Sequence, residues 1–464
     1  MSTGAPHPNP GPPVTGAHRL SAGTIARYAA GSLGTGGFAT LPGLVLTYYL
    51  TDNLGVAAAL AGVVITIAKL WDVIIDPVIG ALTDRQRAFT GSRRGYMLVG
   101  ACSLPFLFAL TFAVPPGLAP VIGALWVLVA FTATATAFSL FQVPYIALPA
   151  ELTPGYDERT RLLTWRVIVL TFAILLFGAG GPILRDLTGD PTTGYLLMGA
   201  VSGVTIGIGM LIATSVAARG TRRVSRADAP GLDVRAHYVE GMRALRRSQP
   251  FRALLLTYVL QALATGLMLA GAQYLATWVM RSEAAVTLLF VSLIAPALIA
   301  APVWSAIARR TGKTRAFRLA STLFIVAAVI IAGALMAPGD WLYAPVALAG
   351  IAYAGMQSLP MAMLPDVISA DADGPAAAGT FSGVWTAGET VGFALSASAF
   401  TAVLTLTGYV SSTADMSVTQ PESAVAGIVV AFSIVPAGLT LLSLMSLSRY
   451  RVTKQDIDVV TPAT

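Results

Sequence analysis

The chain has 464 residues, 55% of them hydrophobic and 11% charged, with a formal net charge of +7 and a mean hydropathy of +0.74. Soluble domains carry roughly 25% charged residues, so this composition excludes one and indicates an all-α membrane protein, the apolar runs being too long and continuous for barrel strands. Cys102 is the single cysteine, and His7, His18 and His237 fall in polar segments, which excludes a disulfide framework, a cysteine metal cluster and a membrane-buried histidine relay.

Residues 1–20 are rich in Pro and Gly without an apolar core, and are expected to form a disordered cytoplasmic tail with no signal peptide before the first span. Apolar segments at 24–50, 57–82, 95–114, 119–149, 162–184 and 193–217 predict six spans; a polar loop covers 219–250. Six more spans are predicted at 251–279, 285–308, 316–337, 341–365, 376–408 and 424–448, before a tail at 449–464. Each is near or above the ~20 residues a helix needs to cross a bilayer. The resulting units are 21–218 and 251–448.

Charge placement supports this count. Arg85, Arg87, Arg93 and Arg94 follow span 2, Arg309, Arg310, Lys313 and Arg315 follow span 8, and eight arginines crowd the central loop, whereas the odd-numbered connections carry only Arg185 and Arg281. By the positive-inside rule both termini are cytoplasmic in a multi-pass protein of the cell membrane. The positive balance therefore reads as topology and not as a nucleic-acid surface.

Span 2 carries the strongest electrostatic signal, Lys69 to Gly95: KLWDVIIDPVIGALTDRQRAFTGSRRG. On a helix, Asp72 and Asp76 share one face about one turn apart, with Lys69 a turn earlier. One charge at mid-membrane costs about 3 kcal/mol on insertion scales, so three on one face need a wet cavity, each other or a bound cation. The two acids read as a cation site, with Lys69 a structural counter-charge; a charge network that only pins helices is the alternative. In span 11, Trp385 precedes Glu389 by four residues and shares its face, a candidate stacking surface and polar ligand for a solute. Tyr48, Tyr49 and Trp341 lie near span ends as interfacial belt residues, and Gly31, Gly34, Gly36 and Gly37 permit close helix approach. No phosphate-binding loop, metal cluster or nucleophile constellation is present, so neither an enzyme nor a cofactor is expected. An intramembrane aspartyl hydrolase would need its aspartates on different helices, and a sensor or scaffold would leave the paired acids idle.

Two arginine-bearing turns, SRRGYMLVG after span 2 and GKTRAFRLA after span 8, occupy matching places in the two sets of six. Such duplication resembles the major facilitator fold of twelve transmembrane helices in two six-helix halves. WDVIIDPVIGALTD, YYLTDNLG, VPYIALPAELTPGYDERTRLLTWR, LPMAMLPDVISADA and GTFSGVWTAGETVGFALS resemble, nearly end to end, the glycoside–pentoside–hexuronide:cation symporters, the group of the melibiose permease. The resemblance implies alternating-access symport of a small solute with Na⁺ or H⁺, by a chain expected to act as a monomer. It places the cation site, which is also the metal site if the ion is Na⁺, at Asp72 and Asp76 with Ser139. Gln142 stands where the melibiose permease has a third carboxylate. An oxygen shell of this kind suits a hard cation. It further implies substrate contacts at Arg166, at Gly36 where the family has an acid, and at Thr390 where it has a lysine. A cytoplasmic gate is implied at Arg159 with Asp366, and a helix staple at Asp84 with Arg93 and Arg94. The family includes lysolipid symporters, so sugars, lysolipids and exported metabolites all stay open as solutes.

Overall fold

The computed structural model describes residues 19–153, 156–217, 243, 245–282, 284–370, 374–414, 416 and 418–450. The predicted tails at 1–20 and 449–464 and the loop at 219–250 fall almost entirely outside these residues.

Twelve helices long and apolar enough to cross a membrane occupy the described residues. Span 1 is Ala22–Asn53, span 2 Ala58–Thr90, span 3 Arg94–Thr111, span 4 Pro120–Pro149, span 5 Arg161–Asp186 and span 6 Pro191–Thr214. Span 7 is Gln249–Val279, span 8 Ala285–Thr311, span 9 Lys313–Leu335, span 10 Asp340–Ser369, span 11 Thr380–Leu406 and span 12 Glu422–Leu447. Large apolar side chains such as Phe106, Val129 and Ile299 remain exposed on the outside, as lipid-facing residues must.

Local chemistry sets the helix ends. Ser21 caps span 1 by accepting from the Thr24 N–H at 3.1 Å, and Asp190 caps span 6 from the Thr193 N–H at 2.8 Å, with Pro191 in the first turn. Span 2 runs well past its predicted end at 82. The polar stretch DRQRAFT continues the helix to Gly91, whose φ of 70° ends it in the left-handed region. Span 12 is broken at Ser433, because the ring of Pro436, three residues on, crowds the preceding turn.

Helix packing repeats between the first six spans and the last six. Spans 2 and 4 pair as 8 and 10 do, 3 and 4 as 9 and 10, 1 and 5 as 7 and 11, 1 and 6 as 7 and 12, and 3 and 6 as 9 and 12. Spans 1 and 7 both end in a π-helical turn, Tyr49–Asn53 and Leu275–Val279. The seam between the sets is equally symmetric, formed by span 1 on span 7, span 2 on span 11 and span 5 on span 8.

Polar contacts across the seam cluster at the end of the bundle opposite the chain termini. Thr51 Oγ1 and Tyr274 Oη are 2.6 Å apart, and Tyr409 donates to Asp52 at 2.6 Å. The Ser412 N–H donates to Thr51 O at 2.9 Å and the Ala414 N–H to Asn53 O at 3.2 Å, forming a β-bridge between Leu54 and Thr413. Deeper in, Thr66 donates to Ala394 O at 2.9 Å and lies 2.6 Å from Ser398 Oγ. No ion pair joins the two sets at the terminus end among the described residues. Among the described residues, the polar latch between the two sets therefore lies at the end away from the termini.

Candidate functional site

Asp72 and Asp76 lie near the middle of the 33-residue helix Ala58–Thr90. Each keeps one buried carboxylate oxygen without a hydrogen-bond partner among the described residues. Two such oxygens facing the same side are costly unless something supplies positive charge, which fits a cation's place more than a structural network. Ser139 of span 4 is buried with its hydroxyl toward Asp76. Trp71 fixes the same pair of helices, its indole N–H donating to Thr136 Oγ1 at 2.9 Å. Ser139 thus comes to the acids, and Gln142, one turn further, is tied to span 1. Its amide oxygen accepts from Thr35 Oγ1 of span 1 at 2.8 Å.

Lys69 makes no direct ion pair with either acid among the described residues, although it lies close enough to Asp72 for their charges to interact. Its ammonium rests over two rings, Phe38 at 5.1 Å and Phe131 at 5.5 Å, and Phe38 stacks on Phe138 at 4.2 Å. Ring faces carry negative electrostatic potential, and a desolvated contact of this kind is worth about 2 kcal/mol. The counter-charge is held by aromatics instead of by the carboxylates it balances. The sequence showed the phenylalanines only as apolar residues, with nothing to mark them as a cage.

A second polar cluster joins spans 7, 10 and 11. The Tyr258 hydroxyl lies 2.6 Å from Glu389 Oε1 and 2.8 Å from Gln357 Oε1, two acceptors for one proton. Gln357 donates in turn to Tyr353 Oη at 2.9 Å. Trp385 stacks on the Tyr258 ring at 4.5 Å, with its indole N–H unpartnered among the described residues. Tyr353 also lines a cavity of 70 Å³ that reaches Thr40 of span 1. The expected pairing of Trp385 with Glu389 is thus bridged by Tyr258, and Tyr353 and Gln357 were not anticipated. Their spacing of four residues in span 10 was the available signal.

The remaining expected positions are more scattered. Arg166 lies 5.4 Å from the Tyr145 ring with its Nε unpartnered, and it forms no ion pair among the described residues. Thr390 turns back on its own helix, donating to Thr386 O at 3.0 Å. Gly36 does not face open space: a Cβ there would meet Ala173 Cβ at 2.7 Å and Leu170 O at 3.0 Å. It is a packing contact between spans 1 and 5, and an acid could not be carried there without moving span 5.

Arg159 and Asp366, expected to form a cytoplasmic gate, are not paired in this conformation. Asp366 accepts from Lys313 at 2.6 Å within the second set of helices, and Arg159 donates to Thr153 O at 3.2 Å. Asp366 thus takes a cation from its own set of helices. The arginine on Asp84 is Arg93 and not Arg94, whose Nε is left unpartnered. Arg93 also donates to Glu151 Oε1 at 2.8 Å and Thr83 Oγ1 at 3.2 Å, tying spans 2 and 4. Burial alone would lower the Arg93 pKa, but Glu151 and Asp84 outweigh it and hold the guanidinium above its usual value.

An uncharacterized symporter of Synechocystis sp. (sll1374) is 38% identical over 173 residues, covering 36% of this chain and 30% of that protein. The glucuronide carrier protein homolog of Escherichia coli (strain K12) is 24% identical over 310 residues, covering 66% of each. The sphingosine-1-phosphate transporter MFSD2B of Mus musculus is 24% identical over 376 residues, covering 75% of this chain and 73% of that protein. For the first five curated relatives the matched region spans between 30% and 41% of their own lengths. A solved proton-dependent oligopeptide transporter superposes with a TM-score of 0.68 at 14% identity, covering 95% of this chain and 99% of that one. At that identity the likeness concerns the fold alone, which is the major facilitator fold expected from the duplicated sequence. The family model for MFS/sugar transport proteins matches residues 27–454, and the chain belongs to that family.

Proposed function

We propose that the protein is a secondary transporter, not an enzyme, that couples the movement of a small polar solute of the sugar or glycoside class to a cation by alternating access. The reading rests chiefly on the two unpartnered carboxylate oxygens of Asp72 and Asp76 at mid-depth, with Ser139 beside them. Hard cations take oxygen ligands, and the coupling ion is Na⁺ or H⁺, with no other cofactor. Because Thr35 already holds the Gln142 oxygen, the protein's own shell for Na⁺ is two carboxylates and a hydroxyl, completed by water.

The Glu389, Tyr258, Gln357 and Tyr353 cluster would receive the solute's hydroxyl groups, with Trp385 backing it. Arginine placement supports cytoplasmic termini in the cell membrane, so the latched end faces outside and the conformation is inward-facing. The halves, assigned to 21–218 and 251–448, rock about the seam. Cation and solute must each bind the outward- and inward-facing forms unequally to drive the cycle.

In proteoliposomes, Asp72→Asn or Asp76→Asn is expected to lower ion-driven uptake at least tenfold while leaving expression intact. Unchanged uptake would refute the coupling assignment. A second reading, a lysolipid or other amphiphile as solute, is favoured by the packing at Gly36, which leaves no room for an acid at that position of the first span. A thermal-shift comparison of neutral glycosides with lysolipids, with and without Na⁺, separates the two.

A further inference from the structure

A cavity of 470 Å³ opens at the latched end of the seam, away from both clusters described above. It is within the range of roughly 300–1,000 Å³ typical of small-molecule sites. Tyr48, Asp52 and Asn53 line it from span 1, Arg185 and Tyr195 from spans 5 and 6, and Trp278 from span 7. Ser412 and Thr413 close it from the connection between spans 11 and 12.

Two buried donors at this cavity lack an acceptor among the described residues, Asn53 Nδ2 and the Tyr195 O–H, and their residues are 8% and 3% exposed. The Trp278 indole N–H points toward Asp52. The acceptors, by contrast, are engaged. Asp52 accepts from Tyr409 at 2.6 Å and Thr51 at 2.5 Å, Asp186 from Arg185 at 2.7 Å, and Asp190 from Thr193. Unpaired buried donors forfeit their hydrogen bonds with water, which a ligand bringing oxygens would restore. Among the described lining residues, Asp52, Asp186 and Asp190 outnumber the guanidinium of Arg185, which disfavours an anion. The occupant's oxygens must be uncharged, and aromatic walls at Tyr48, Tyr195 and Trp278 suit the apolar face of a sugar ring.

We infer that this seam cavity is a second binding site, for a neutral polyhydroxylated solute, separate from the central cation and solute clusters. Both sets of helices build it, so an occupant holds the latched end shut and favours the conformation described above. By linkage, a variant that opens the latch weakens the occupant's binding by the same factor.

A reporter thiol at Ala414 tests the site in full-length protein in nanodiscs, in a Cys102→Ser background that removes the exposed native thiol. Methyl β-D-glucoside at tens of millimolar is expected to slow alkylation of Ala414→Cys by N-ethylmaleimide at least threefold. Methyl β-D-glucuronide, an anion, is expected to give no protection. Asn53→Leu combined with Tyr195→Phe should abolish protection, and Glu389→Gln in the central cluster should leave it intact. If the double variant does not fold, Tyr195→Phe alone should raise the half-protecting glucoside concentration at least threefold. Absence of protection, equal protection by the glucuronide, protection that survives these substitutions, or its loss in Glu389→Gln would each overturn the assignment. Uptake by the Asp72→Asn protein is a separate readout, so the coupling reading and the seam site can fail independently.

Discussion

Glu389 takes its meaning from Tyr258, which lies 131 residues away in sequence and 2.6 Å away in space. The sequence identified the acid and its neighbour Trp385, but only folding supplied the hydroxyl between them. Glu389→Gln keeps the shape and removes the charge. It is expected to raise the half-saturating concentration of a transported glycoside about tenfold while leaving cation-induced thermal stabilisation unchanged, as measured by uptake and differential scanning fluorimetry. Lys69 was legible as a charge and Asp72 as its neighbour, but the phenylalanine cage was not, because Phe38 and Phe131 read as ordinary core. For Lys69→Met, loss of the positive charge beside the acids predicts tighter cation binding in an ion titration. Weaker binding in that titration would place the lysine in another role. Asp366 illustrates the limit of residue-scale reading: both Lys313 and Arg159 were in view, and the choice between them depends on which end of the bundle is open.

Among the elements, span 1 was read well as a helix and only partly for its contacts. Its glycines were recognised as close-approach positions, and at Gly36 the neighbouring backbone of span 5 leaves no room for a Cβ. Gly36→Asp is therefore expected to lower the thermal midpoint by several degrees, and adding Ala173→Gly to recover part of the loss. Equal midpoints for the wild type and Gly36→Asp would mean that span 5 yields freely. The end of span 2 was missed because hydropathy stops where the apolar run stops, whereas the helix continues on polar residues until Gly91. That extension carries Asp84 and Arg87 to the terminus end, where Arg93 and Glu151 bind them.

For the whole molecule, duplication and span count were open to inspection in the sequence, and the conformation was not. Composition and periodicity are the same in every state of a carrier, so only contacts such as Tyr409 on Asp52, 357 residues apart, reveal which end is latched. Gly62 sits where spans 2 and 11 meet across the seam, and a Cβ there would overlap Thr401 Oγ1 and lie 3.0 Å from Ser398 Cα. Gly62→Leu is expected to wedge the latched end apart. Spin labels placed across it should then show longer distances than in the wild type, with transport reduced. An unchanged distance distribution would show that the seam absorbs the bulk.

The cage around Lys69 also bears on membrane voltage. With two carboxylates and one ammonium, the formal charges at mid-depth sum to −1 when the site is empty and to zero with one monovalent cation aboard. On the proposed coupling, the loaded carrier reorients without moving net charge, and the empty carrier returns as an anion. A membrane potential that is negative inside pushes that anion outward, contributing about 2.3 kcal/mol per 100 mV if the whole field is crossed. Uptake into vesicles should therefore accelerate under an imposed potassium diffusion potential. In Lys69→Met vesicles the empty site holds two negative charges and the singly loaded site one, so the loaded step also moves charge and an inside-negative potential should oppose it.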